Sequence, residues 1–295
     1  MNTRNIRFRS NRMRDVIGQM HSELDAAYGA AEVSVFAEML CEAFLGWDRV
    51  QLLLNKERTI DQSDLLRFHW AVEDLLHWRP IQHIIGYVGF CNCRIAVDPN
   101  VLIPRPETEE MVRHLFELMS SWDRPAPRVI DLCTGSGCIA IALKHREPGV
   151  TVEAVDVSEA ALNVARRNAE ACGTEVAFSC ADILAADFDR RQPEYDLIVS
   201  NPPYLRQSER AGMAANVLWH EPELALFVPD SDPLLFYRAI AVFAERRLAP
   251  DGLLAVEINE ALAEPTCALL AGHGLHTQLH RDFRDKPRWI EATRK

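Results

Sequence analysis

The apolar positions change period along the chain. Met13, Ile17, Met20 and Leu24, then Val35, Phe36, Met39, Leu40 and Phe44, recur at three- and four-residue steps, the spacing of one face of an amphipathic helix. Leu65, Leu66, His69, Trp70, Val72, Leu75 and Leu76 continue the stripe as far as Arg79-Pro80, where proline disfavours helix at the residue before it. Residues 1–80 are therefore predicted to form a small helical bundle. Two short strands are expected next, Ile84-Ile85-Gly86-Tyr87-Val88-Gly89-Phe90 and Arg94-Ile95-Ala96-Val97, turning around Cys91-Asn92-Cys93. Val101-Leu102-Ile103-Pro104-Arg105-Pro106 is too proline-bound for a central strand. Glu107-Thr108-Glu109-Glu110 opens a helix to about Met119, with its acids in the first turn where the helix dipole favours them.

From residue 128 onward strand and helix patterns alternate. Strands are expected at Arg128–Leu132, Thr151–Asp156, Glu175–Cys180, Asp196–Ser200, Gly252–Ile258, Leu275–His280 and Trp289–Thr293. Helices are expected at Gly137–Lys144, Ser158–Ala171 and Pro233–Leu248. Such alternation predicts an α/β fold with an open, mostly parallel sheet covered by helices on both faces.

Composition narrows the functional classes. The 295 residues include 43 acidic and 32 basic side chains, for a net charge of −11, which argues against bulk attraction to nucleic acid phosphates. The charge is uneven, because residues 1–80 hold 12 acidic and 10 basic side chains. Arg4, Arg7, Arg9, Arg12 and Arg14 open the chain without an acid among them. They suit either an organelle transit peptide or, with the helical stripe that follows, a solvated helix start. No apolar run reaches the roughly 18–20 residues of a membrane span, and no secretory signal is visible at the start. Eight cysteines without a CxxC pair read as reduced thiols in a cytoplasmic protein. The ten histidines show no ligand spacing with Asp, Glu or Cys, so no metal site is expected.

Three segments carry candidate chemistry. Val129-Ile130-Asp131-Leu132-Cys133-Thr134-Gly135-Ser136-Gly137 is a strand ending in a small-residue turn before a helix. Gly135 and Gly137 let backbone approach a ligand without an intervening Cβ, although Cys133 stands where a dinucleotide fingerprint has its first glycine. Asp156 ends the next strand, about twenty residues on, where an acid can accept ribose hydroxyls; it also suits capping of the helix near Ser158. Together these favour an adenosine cofactor. Without a pyrophosphate cradle, S-adenosylmethionine is preferred to NAD. Finally, the strand Asp196–Ser200 runs into Asn201-Pro202-Pro203-Tyr204 at the sheet's expected carboxyl edge. The Asn201 oxygen and the Pro202 carbonyl can accept both hydrogens of an –NH₂ group, and Tyr204 offers an aromatic face.

With these residues in view, the chain resembles the HemK/PrmC family of S-adenosylmethionine-dependent protein-(glutamine-N5) methyltransferases, which modify the Gly-Gly-Gln glutamine of peptide chain release factors. Ile103-Pro104-Arg105-Pro106-Glu107-Thr108-Glu109, Asp131–Gly137 and Asn201–Tyr204 are its most specific pieces. The resemblance implies a class I methyltransferase domain with a seven-stranded, mostly parallel Rossmann-like sheet over residues 107–295. It also implies a β-hairpin linker over 81–106 and a helical substrate-recognition domain over 1–80. Cys133, Thr134, Gly135, Ser136 and Gly137 would line S-adenosyl-L-methionine, Asp156 would take its ribose, and Asp182 and Ile183 would flank adenine. S-adenosyl-L-homocysteine would be the product. Asn201, Pro202, Pro203 and Tyr204 would receive the glutamine amide. Arg105 and Glu107 would shape the cleft, either touching substrate or forming an ion-paired helix start. The family's aromatic at position 183 is replaced by Ile183, and a glycine common in its hairpin is missing near Asn92. A monomer acting on release factors, with no nucleic acid or membrane partner, is the expectation. The alternatives are a ribosomal-protein glutamine or the amino group of a nucleic acid base.

Overall fold

The structure, a computed structural model, describes residues 8–188 and 192–294. Arg4 and Arg7, which belong to the arginine-rich start, lie outside the described residues. The chain forms two compact units. One extends to Gly86 and takes in Ala214–His220; the other comprises Tyr87–Met213 and the chain from Glu221 onward.

The first unit contains α1 (Met13–Tyr28), α2 (Ala30–Leu45), α3 (Arg49–Leu54), α4 (Gln62–Leu76) and α5 (Ile81–Ile85), plus the later short helix Ala215–His220. In α1, Met13, Val16, Met20 and Leu24 are fully buried. They pack with Leu40, Phe68 and Val72 in a common apolar core. Gly29, at φ 85°, separates α1 from α2, and Asp48 and Gln51 form a reciprocal capping box at the start of α3. One expectation fails in this unit: Ile84 and Ile85 lie in α5, not in a strand. Pro80 takes the N-cap position, where its missing N–H costs nothing, and Gly86 ends the helix in the left-handed region at φ 84°.

The second unit begins with the hairpin β1 (Tyr87–Phe90) and β2 (Cys93–Ala96). Cys91 (φ 47°) and Asn92 (φ 65°) are both left-handed, as a two-residue hairpin turn requires, so the turn closes without the family's glycine. There follow α6 (Pro106–Ser120), β3 (Arg128–Leu132), α7 (Cys138–Arg146), β4 (Thr151–Asp156), α8 (Glu159–Ala171), β5 (Ala177–Cys180), β6 (Tyr195–Ser200) and β7 (Leu205–Arg206). After α9, the Ala215–His220 helix of the first unit, come α10 (Glu223–Leu226), β8 (Phe227–Val228), α11 (Leu235–Arg247), β9 (Leu248–Glu257), α12 (Ala263–Gly272), β10 (Leu275–Arg281) and β11 (Pro287–Arg294).

Seven strands form one sheet in the order β10-β11-β9-β6-β3-β4-β5. The β9-β6-β3-β4-β5 run is parallel, and β11 is antiparallel to both β9 and β10. Alternate residues serve opposite faces, as the period of two demands. Val129, Leu197, Val199, Ala255 and Trp289 pack beneath α6 and α7. Ile130, Ile198, Leu254, Val256 and Ile290 pack with α11 and α12. Strand β9 starts four residues before the expected Gly252, and β5 two residues after the expected Glu175. Among the described residues, no helix is long and apolar enough to cross a membrane.

Candidate functional site

At the carboxyl ends of β3, β4 and β6 the parallel sheet opens into a cleft with roughly 950 Å³ of non-protein space, its mouth included. This is the edge where open α/β sheets bind ligands. Of the residues singled out from sequence, Cys133, Thr134, Gly135, Ser136, Asp156, Asp182, Ile183, Asn201 and Pro203 line it. Gly137, Pro202, Tyr204, Arg105 and Glu107 do not.

The glycine turn is fastened from several directions. Thr134 N–H donates to the Val155 carbonyl at 2.9 Å, Gly135 N–H to Asp156 Oδ2 at 2.8 Å, and Asn168 Nδ2 to the Ser136 carbonyl at 2.9 Å. Cys133 adopts φ 60° and Gly135 φ 55°, so the position that lacks the fingerprint's glycine is left-handed all the same. Gly137 is the N-cap of α7 at φ 80°, not its first helical residue as expected. A Cβ there would lie 3.0 Å from both Ala165 Cβ and Ile141 Cδ1, whereas one on Gly135 would meet nothing within 4 Å. Gly137 thus lets α7 approach α8, while Gly135 leaves cleft space open.

Behind the turn, Asp131 is completely buried. Its Oδ2 accepts from Thr134 Oγ1 at 2.6 Å and Ala140 N–H at 3.3 Å, but its Oδ1 has no hydrogen-bond partner among the described residues. Burial pushes its pKa up to about 7. Asp156 Oδ1 accepts from Ser158 N–H at 2.9 Å, and the helix cap itself is Ser158, whose Oγ accepts from Ala161 N–H. Burial raises the Asp156 pKa against the pull of these backbone N–H groups. Each Asp156 oxygen takes one protein donor in these bonds and has a further lone pair for a ligand hydroxyl. Asp182 Oδ1 accepts from Leu184 N–H at 2.9 Å.

The acceptor side is organised by a residue the sequence did not flag, Glu257, at the carboxyl end of β9. Its Oε2 accepts from Thr108 Oγ1 at 2.6 Å and its Oε1 from Tyr204 O–H at 3.1 Å. Thr108 Oγ1 in turn accepts from Asn201 Nδ2 at 3.1 Å. The Asn201 amide nitrogen is thereby occupied, and its Oδ1 is left as the acceptor at the cleft. Burial raises the pKa of Glu257, aided by like charge on Glu107, and burial likewise raises that of Tyr204. An acid ending the strand beside the Asn201 strand was the available signal, since that edge of the sheet is where ligands collect.

Arg105 Nη2 donates to Glu221 Oε1 at 2.6 Å, and Ile103 N–H to Glu221 Oε2 at 3.1 Å. The Glu221 side chain is 1% exposed and that of Arg105 32%. One buried carboxylate therefore anchors the proline-bound segment, parts of which line the cleft.

Comparison with known proteins agrees with this architecture. Residues 111–226 match a family model described as the methyltransferase small domain, and residues 15–86 one described as the PrmC N-terminal domain. The chain is 38% identical to a release factor glutamine methyltransferase of Bacteroides thetaiotaomicron, covering 96% of this chain and all of that protein. A protein of the same description from Flavobacterium psychrophilum is 38% identical, with 93% and 96% covered. Among solved structures, the hMettl16 catalytic domain in complex with the MAT2A 3′UTR hairpin 6 is similar in fold, with a TM-score of 0.50, 16% identity, and 79% and 82% of the two chains covered. Near-complete coverage at such identity, together with both family models, means that the chain belongs to the release factor glutamine methyltransferase family.

Proposed function

We propose that this protein methylates the side-chain amide nitrogen of the Gly-Gly-Gln glutamine in a peptide chain release factor, with S-adenosylmethionine as methyl donor. The observation that carries this reading is the Asn201–Thr108–Glu257 relay, which leaves a fixed amide oxygen as acceptor beside the glycine turn. The cleft suits the cofactor. Space is open over Gly135, Asp156 keeps lone pairs for ribose hydroxyls, and Asp182 and Ile183 offer an acceptor and an apolar wall for adenine. Ile183 serves by packing where an aromatic would stack.

When bound, S-adenosylmethionine supplies a methyl group on a sulfonium sulfur, and S-adenosylhomocysteine remains after transfer. A carboxamide nitrogen is a poor nucleophile because its lone pair is delocalised into the carbonyl. Asn201 Oδ1 and the Pro202 carbonyl would accept its two hydrogens, turn the lone pair toward the methyl, and bind more strongly as positive charge grows on nitrogen. The nitrogen then sheds one proton to water at the cleft mouth. Tyr204, with its hydroxyl tied to Glu257, would hold the turn from behind the cleft lining, and Pro202 and Pro203 would stiffen it. Glu107 would act through the charge it adds near Glu257. The helical unit would recognise the release factor, in keeping with its match to the PrmC N-terminal domain.

The test is incubation with labelled S-adenosylmethionine and a purified release factor, followed by mass spectrometric mapping. A methylated Gly-Gly-Gln glutamine, absent when that glutamine is substituted, is the expected result. Label on another residue, or transfer to RNA or a ribosomal protein in place of the release factor, would overturn the reading.

A further inference from the structure

Away from the methyl-transfer cleft, three side chains from three elements converge on one point. His114 comes from α6, His280 from β10 and Glu291 from β11. His114 Nε2 lies 2.8 Å from Glu291 Oε1, and His280 Nε2 lies 3.2 Å from Glu291 Oε2. We propose that His114, His280 and Glu291 bind a first-row divalent cation of the zinc type.

Three observations support the site. First, the His114 Nε2, His280 Nε2 and Glu291 Oε1 atoms are buried yet lack a hydrogen-bond partner among the described residues, despite these short separations. The two imidazoles and the carboxylate approach one another without well-directed hydrogen bonds, and buried polar atoms in that state call for a ligand. Second, one donor atom from each residue lies within 4.8 Å of the others. Bonds of ~2.0–2.1 Å in tetrahedral array set donors about 3.3 Å apart, so the 2.8 Å His114–Glu291 pair would widen slightly and any longer separation would close by rotamer adjustments of an ångström or so. Third, the His280 ring is stacked on Trp289, with centroids 5.0 Å apart and planes 5° from parallel, and Trp289 is itself buried in the core. That contact holds the imidazole plane in place, the service an outer shell gives a metal-binding histidine.

The donor set selects the ion. Two imidazoles with one carboxylate suit zinc, cobalt or nickel; magnesium and calcium favour all-oxygen sites, and thiolate-seeking ions find no sulfur among these three ligands. Three protein ligands leave a fourth position for water. None of the three residues lines the cleft. The ion would instead staple α6 to the antiparallel edge of the sheet, and α6 also carries Thr108.

The experiment uses the full chain, reduced and stripped with a chelator, then titrated with Zn²⁺ by calorimetry and with Co²⁺ by visible absorption. One ion per chain is expected, with cobalt bands in the visible but no sulfur-to-metal charge-transfer band. Saturation should raise the melting temperature by ~5 °C. His114→Gln and Glu291→Gln, checked for folding by circular dichroism, should each weaken binding by ~10-fold or more. Absence of saturable binding would overturn the site. So would binding that persists in the His114→Gln/His280→Gln double variant or that brings a thiolate band, since the eight cysteines would then hold the ion.

Discussion

Asn201 Nδ2 donates to Thr108 Oγ1 at 3.1 Å, and the same hydroxyl donates onward to Glu257 Oε2 at 2.6 Å. A hydroxyl has one proton to give, so donation to the carboxylate fixes its lone pair toward Asn201 and sets which way the amide faces. Thr108→Val keeps the shape and removes both bonds. Turnover should fall by ~10–100-fold, the range for losing a partner that orients a functional group, with cofactor affinity within a few-fold of the parent. Thr108→Ser should restore most of the rate. Steady-state methylation beside cofactor calorimetry checks it, and a Val variant of normal turnover would refute the relay.

The two glycines of the turn separate stability from binding. Gly137→Ala puts a Cβ 3.0 Å from Ala165 and Ile141 at φ 80°, and the combined strain and overpacking should cost ~3 kcal/mol. Gly135→Ala meets no neighbour and should cost ~1 kcal/mol, yet its methyl takes cleft space and should weaken cofactor binding ~10-fold or more. Denaturant titration and calorimetry on both variants would show the opposite ranking if these roles were exchanged.

Asp131 gives the ligand-free protein a defined pH dependence. Its folded pKa of about 7 exceeds the ordinary value of 3.8, so the folded state binds the extra proton between those values. Stability from this group is complete below pH 3.8 and declines as pH rises toward 7, by about 4 kcal/mol at most. Asp131→Asn should flatten that part of the profile. Urea unfolding at intervals from pH 4 to 8 measures it, and identical slopes in parent and variant would contradict the assignment.

Arg105→Ala would strand the Glu221 carboxylate in the protein interior. The expected cost is about 3 kcal/mol, at the lower end for a broken buried pair because Arg105 retains partial exposure. Glu221→Gln keeps an acceptor for Ile103 N–H and removes the buried charge, so it should cost less. Thermal or urea unfolding that ranks them the other way would show that the ion pair is not the anchor.

Much of the sheet and both turns at its carboxyl edge are readable from the chain because their signals are local. Val129 and Ile130 serve opposite faces through strand alternation, and the Asn201-Pro202-Pro203 turn is set by its own residues. The relay partners are not readable in this way. Thr108 and Glu257 are 149 residues apart, and Thr108 and Asn201 are 93 apart, so only the closed sheet brings them together. The strand expected from Ile84 fails at its first residues because short apolar stretches fit strand and helix equally; Pro80 and the left-handed Gly86 decide for helix over Ile81–Ile85. The histidine cluster was invisible because its ligands share no short spacing.

The hairpin has one further consequence, for how the protein keeps to itself. The outward backbone of β2 meets two side chains four residues apart, one on α8 and one on the residue that caps it. Asn168 accepts from Ala96 N–H and donates to the Ala96 carbonyl, and Cys172 Sγ donates to the Arg94 carbonyl at 3.8 Å. A helix thus stands in for a third strand. A bare ribbon edge is a template on which other chains can add strands and aggregate, and here two side chains occupy it, while Asn168 also holds the glycine turn through Ser136.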